Sequence, residues 1–158
     1  MTLVAPLLGV AQAALDWFSE TMRGKVKSSL KPGAPVSVAQ SPQAQARAGE
    51  AQVRIDAALA LLMTDLIPLE AKVRAGEDLT VAERIRVRRD IGFAARQAAD
   101  AVNLLFEGAG AASAASDMPI QRYWRDINAA ARHASLDVQA IYGLVGQQCF
   151  GLEPAGQF

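Results

Sequence analysis

The stretch QVRIDAALALLMTDLIPLEAKV, residues 52–73, decides the fold class. Its large apolar side chains Ile55, Leu59, Leu62, Leu66, Leu69 and Val73 recur in steps of four and three. That step pattern lays one apolar stripe along one face of an α-helix. Three further segments repeat it. The first runs through Val4, Leu8, Ala11, Leu15, Phe18 and Met22. Another holds Val81 and Ile85, then Ala95, Ala98, Val102 and Phe106. The last holds Ile120, Trp124, Ile127, Ala131, Ala134, Val138, Ile141 and Val145. No segment alternates with a period of two, so no strand is expected.

Composition agrees with helices. The 158 residues include 32 alanines, and alanine is the strongest helix former. The breaks have recognisable chemistry. KPGAPVSVAQSP, residues 31–42, carries three prolines and no helical pattern, which predicts a loop over 31–43. Gly76 suits a helix C-cap, and Thr80 with Glu83 reads as a capping box opening the next helix. GAGAASAASDMP, residues 108–119, is a small-residue loop whose proline suits a helix start. Pro68, inside the second helix, predicts a kink. The whole chain, 1–158, therefore reads as one all-α domain, an antiparallel up-down-up-down four-helix bundle with a frayed tail at 151–158. The alanines at 94–101 and 129–134 would let the third and fourth helices approach closely.

Charge and cysteine content exclude several functions. Sixteen basic residues balance sixteen acidic ones, which argues against nucleic-acid binding by bulk positive charge. One cysteine, Cys149, excludes an internal disulfide framework and a cysteine zinc site. One histidine, His133, excludes a multi-histidine metal cluster. No apolar run approaches the roughly 18 residues of a membrane span. The opening MTLVAPLLGVAQAALDWF has no basic n-region and reads as structure. The expected location is the cytoplasm.

Few residues carry a chemical signal. Imidazole suits proton transfer near neutral pH, and His133 has Asp137 four residues on and Asp126 two turns back. The plainer reading is a partly exposed histidine beside a helical ion-pair neighbour. Arginine outnumbers lysine twelve to four, a bias toward bidentate anion contacts. Arg84, Arg86, Arg88, Arg89 and Arg96 crowd the third helix. They read as a solvated or subunit-facing surface paired with Glu83 and Asp90, or else as a phosphate or pyrophosphate contact. Arg122, Arg125 and Asp126 open the fourth helix, with capping and ion pairing as their simplest role. Trp124, on the stripe, is expected in the core. Gly108 and Gly110 make no phosphate loop, because no strand precedes them and no Gly-Lys-Ser/Thr follows.

The stretch ERIRVRRDIGFAARQAADAVNLLFEGAGAASAASDMPIQRYWRDINAAARHASLDVQAIYGLVG resembles the C-terminal helical domain of the acyl-CoA dehydrogenase superfamily. The resemblance rests on the helix ending Leu105-Phe106-Glu107, the Gly-Ala-Gly loop, the proline, the block Gln121-Arg122-Tyr123-Trp124-Arg125-Asp126, and His133. It covers roughly residues 3–150 and is nearest the branch of flavin-dependent monooxygenases, the oxygenase components of two-component aromatic hydroxylases. It implies a four-helix bundle, assembly into a dimer or tetramer, and FMN or FAD bound near a subunit boundary, with reduced flavin supplied by a separate reductase. It implies His133 as the catalytic residue beside the flavin, and Arg125 and Asp126 as cofactor-positioning residues. Acyl-CoA dehydrogenases often carry a catalytic glutamate about nine residues after the motif arginine, and Ala134 stands there. That departure favours the monooxygenase branch. The family's N-terminal helical and middle β-barrel domains have no counterpart in these residues. Three functions stay open: a monooxygenase module, a non-catalytic oligomerising bundle, and an acyl-CoA dehydrogenase-type domain.

Overall fold

Five α-helices form among the residues that the computed structural model describes, 3–27 and 36–157. They are α1 (Val4–Gly24), α2 (Pro42–Ala75), α3 (Val81–Ala109), α4 (Pro119–Ala130) and α5 (Val138–Cys149). The class is all-α, as the stripes indicated. Helix α3 is the hub and packs against each of the other four. Its buried residues Ala94, Ala95, Ala98, Ala99 and Ala101 present little more than methyl groups, so neighbouring backbones can come close.

Local signals set the boundaries. The α1 stripe is buried as read, with Phe18 only 1% exposed. Gly76 closes α2 in the left-handed region (φ 73°), where an L side chain is disfavoured. Thr80 and Glu83 form the capping box: the Glu83 N–H donates to Thr80 Oγ1 (3.2 Å) and the Thr80 N–H to Glu83 Oε2 (2.9 Å). Pro119 occupies the first turn of α4. Helix α2 continues through Pro68 without a break.

Several expectations need correction. The loop expected at 31–43 is not all loop. Residues 31–35 lie outside the described residues, Val36–Ser37 (β2) pairs antiparallel with Val26–Lys27 (β1), a 3₁₀ turn spans Val38–Gln40, and α2 starts at Pro42. A strand pair therefore exists where none was expected. It closes because α1 leaves two terminal carbonyls that the Ser37 hydroxyl reaches, at Met22 (3.1 Å) and Arg23 (3.0 Å).

The stripe of α2 is rotated from the sequence reading. Its buried residues are Ala44, Ala51, Ile55, Ala58, Leu62 and Asp65, while Leu59, Leu66 and Val73 are exposed. The single fourth helix is two. It stops at Ala130, and α5 restarts at Val138 with Asp137 as N-cap, its Oδ1 accepting from the Gln139 N–H (3.0 Å). The alanines of 129–134 do not form a close helix contact: Ala129, Ala130 and Ala134 are exposed. Trp124 is not in the core. It is 37% exposed and stacks on Phe106 with ring centroids 4.9 Å apart. The tail folds back on α5: the Ala155 N–H donates to Gln147 Oε1 (2.9 Å), and Gly156 packs on Leu144.

Candidate functional site

A groove of about 420 Å³ opens where α3 passes α4 and the segment joining α4 to α5. Its size falls within the range of small-molecule sites. Ala95, Ala99, Ala131 and Leu136 contribute apolar surface, and Arg96, Asn103, Asn128 and Arg132 contribute donors. The break in the fourth helix makes this groove, because a continuous helix would carry Leu136 and Val138 on along the same axis. Asn128 and Asn103 lock its base: Asn128 Nδ2 donates to Asn103 Oδ1 (2.9 Å) and to the Trp124 carbonyl (2.8 Å). Arg96 pairs with Asp100 at 3.1 Å.

His133 lies on this connecting segment, between the groove residues Arg132 and Ala134, and is exposed. It is not on a helix, contrary to the sequence reading. Its Nδ1 accepts from the Ser135 backbone N–H (3.2 Å) and so caps the 3₁₀ turn Ala134–Leu136. A ring nitrogen that accepts carries no proton, so the hydrogen of the neutral imidazole is on Nε2. Asp137, expected as a helical neighbour of His133, is used instead as the cap of α5.

Arg125 and Asp126 stand on the exposed side of α4. Asp126 is paired with Arg122 at 3.4 Å and with Arg125 at 3.6 Å. Asp126 and Arg122 line a different groove, with Val10, Met118 and Tyr123. Among the described residues no hydrogen bond or ion pair joins either of them to His133. The sequence reading therefore named two separate places. It missed Asn103, Asn128 and Arg132, which belong to no motif. The available signal was two asparagines at helix-interior positions that disfavour asparagine.

The helix-three arginines mostly pair within the fold. Arg89 binds Asp90 and Arg86 binds Asp65. Glu83 pairs with Lys72 at 2.7 Å and not with an arginine. That contact, with the hydrogen bonds from Thr80, holds the Glu83 carboxyl down at about 2. Among the described residues no cluster of three or more histidine, cysteine, aspartate and glutamate side chains could hold a metal. No described helix is long and apolar enough to cross a membrane.

Comparison with known proteins places this architecture. Residues 1–138 match the family described as acyl-CoA dehydrogenase, C-terminal domain. The oxygenase component of an FADH2-dependent resorcinol hydroxylase from a Rhizobium species is 31% identical over 96% of this chain. The oxygenase subunit HsaA of a flavin-dependent monooxygenase from Rhodococcus jostii is 34% identical over 96% of it. Among solved structures, XiaF from a Streptomyces species, in complex with FADH2 and glycerol, superimposes with a TM-score of 0.86 at 32% identity and covers 98% of this chain and 38% of its own. The chain spans about two fifths of the curated relatives' length, 38% and 39% for the two named. On this match and this fold, the chain belongs to the acyl-CoA dehydrogenase C-terminal domain family.

Proposed function

We propose that this chain is the C-terminal domain of the oxygenase component of a flavin-dependent monooxygenase. The whole enzyme would take reduced FMN or FAD from a separate flavin reductase and hydroxylate an aromatic or polycyclic substrate. The observation that carries this reading is the groove between α3 and the α4–α5 connection. Its Ala95, Ala99, Ala131 and Leu136 surface suits a planar ring and its Arg132 guanidinium suits an anionic phosphate, while Arg96 is held by Asp100, and Asp100 and Asp137 also line the groove. The likeness to hydroxylase oxygenase components over nearly the whole chain supports the same reading.

Reduced flavin, when bound, supplies the electrons for oxygen activation. The chain's own contribution is positioning and proton control. His133 is the catalytic residue of the proposal. With Nδ1 accepting from the Ser135 N–H, the ring is neutral, and its Nε2–H can donate a hydrogen bond to the flavin or substrate. Arg125 and Asp126, an ion pair that Arg122 joins, lie on another face of α4, so the cofactor role that the resemblance implies for them is not part of this groove. Ala134 offers no carboxylate to abstract an α-proton, which favours oxygenation over acyl-CoA dehydrogenation.

Anaerobic calorimetric titration of FMN and FAD, oxidised and reduced, into the chain tests the groove. Saturable micromolar binding that Arg132→Ala weakens by about tenfold, a difference of about 1.4 kcal/mol, is expected. No binding up to millimolar flavin refutes a flavin site in this domain. In an enzyme completed with its N-terminal and β-barrel domains, His133→Ala should lower hydroxylation by about a hundredfold or more with flavin still bound. Retained activity removes the role given to His133.

A second reading, an assembly surface, is favoured by one observation. Leu59, Met63, Leu66, Ile67 and Val73 leave an apolar row exposed on α2. We propose that the chain forms a cytoplasmic dimer or tetramer through such faces, with residues 1–158 acting as one domain. Its helices would run up-down-up-down, α4 and α5 together making the fourth arm. A monomer at high concentration in sedimentation equilibrium would overturn the assembly.

A further inference from the structure

Two aspartates are buried between α2 and α3. Asp65 and Asp90 are each 2% exposed. The hairpin register brings them together. Lys72 and Glu83 pair across the turn, and seven residues further along each helix the same register sets Asp65 opposite Asp90. Each carboxyl has one guanidinium. Arg86 Nε donates to Asp65 Oδ1 (2.9 Å), and Arg89 donates to both oxygens of Asp90, at 2.6 and 2.9 Å.

The two carboxyls are not equally served. Both Asp90 oxygens have donors. Asp65 Oδ2 is buried and has no partner of ordinary donor type among the described residues. The Asp65 carboxyl has the carboxyl of Asp90 as its hydrogen-bonding neighbour. Two ionised carboxylates are acceptors only, so contact between them would be repulsive and would leave Oδ2 unsatisfied. One proton resolves both problems, because a protonated Oδ2 becomes a donor and Asp90 supplies the acceptor. We propose that Asp65 and Asp90 share one proton, Asp65 Oδ2 donating to Asp90, as a proton-linked latch between α2 and α3.

The surroundings agree. Burial, then the neighbouring Asp90, push the Asp65 carboxyl up from the ordinary aspartate range, and Arg86 opposes this. Arg89, hydrogen-bonded to Asp90, is pushed up in turn. The charged groups facing the pair are Arg86 and Arg89 from α3. From α5, Tyr142 and Cys149 line the apolar cavity of about 560 Å³ that Arg89 and Asp90 also border, with Leu61 contributed by α2.

The linkage has a definite sign. Asp65 holds its proton more tightly folded than unfolded, so the folded state binds more protons above the ordinary aspartate range. The latch is complete below that range and is lost as pH rises through the raised value. Above it, Lys72–Glu83 and Arg86–Asp65 are the ion pairs that still tie this half of α2 to α3. The latch is independent of flavin, so its failure would leave the proposed function standing.

Infrared spectroscopy of the full chain with ¹³C-labelled aspartate, followed upward in pH from about 5, where ordinary carboxyls are already ionised, reads the proton directly. The parent should show a carboxylic-acid carbonyl band worth one carboxyl per chain, lost in Asp65→Asn. That variant keeps a donor, its Nδ2–H, toward Asp90. Its unfolding midpoint should not fall with pH across the window in which the parent's falls. A parent spectrum with no such band, or an Asp65→Asn chain that keeps the parent's pH slope, overturns the latch.

Discussion

Truncating the leucines of α2 one at a time separates the core face from the outer face. Leu62 is 4% exposed, whereas Leu66 is 39% and Leu59 is 50% exposed, yet all three lie on the stripe that sequence spacing marks out. Leu62→Ala removes buried methylenes from a packed site and leaves a cavity, at a cost of about 3 kcal/mol within the usual span of roughly 2–5. For a chain of this size, about 3 kcal/mol lowers the melting temperature by roughly 6–12 °C. Leu59→Ala and Leu66→Ala remove side chains already about half in water, so each should cost under about 1 kcal/mol. Denaturant unfolding followed by far-UV circular dichroism gives the comparison, with the midpoint shifting at constant slope. Low protein concentration is needed, because association through the outer face would protect Leu59 and Leu66. Equal losses at positions 59 and 62 in a monomer would refute the observed phase of the helix.

Two other outcomes follow from local geometry. Glu83, held at about 2 against an ordinary 4.5, favours the folded state above its unfolded value. That contribution disappears as pH falls from 4.5 to about 2, and Glu83→Gln should flatten this part of an acid titration of stability. A Cβ at Gly108 would stand 2.7 Å from Arg47 Cδ and 3.1 Å from Phe18 Cε2. Gly108→Ala should therefore cost about 1–3 kcal/mol despite its better helix propensity. Arg47→Ala in the same chain should recover part of that loss in a double-mutant cycle, and strict additivity would count against the contact.

Much of the candidate site was legible, but its assembly was not. The block around Arg125, Asp126 and His133 lies on the elements that border the groove and its neighbour. His133 does border the groove residues, while Arg125 and Asp126 belong to another face. The cause is the break after Ala130. Ala131, Arg132, His133, Ala134 and Ser135 all tolerate a helix, and neither proline nor glycine warns of a stop. The cue present was Asp137 immediately before Val138, a cap-forming residue ahead of an apolar one. Asn103 and Asn128 gain meaning only when α3 and α4 bring them into contact.

The sequence by itself determined that helices form and where most of them begin and end. Gly76, Thr80–Glu83 and Pro119 act within a turn of their own position, and local chemistry is enough to settle them. Alanine content determined the class for the same reason. The tertiary structure alone decided which face each helix buries. Helix α2 carries large apolar side chains around more than half its circumference, so spacing cannot choose among them. The close approach of the alanine-rich α3 chooses instead: Ala51, Ala58 and even Asp65 enter the interface, and Leu59 and Leu66 stay outside. The carboxyl pair follows from that choice, since Asp65 and Asp90 meet only in the assembled hairpin.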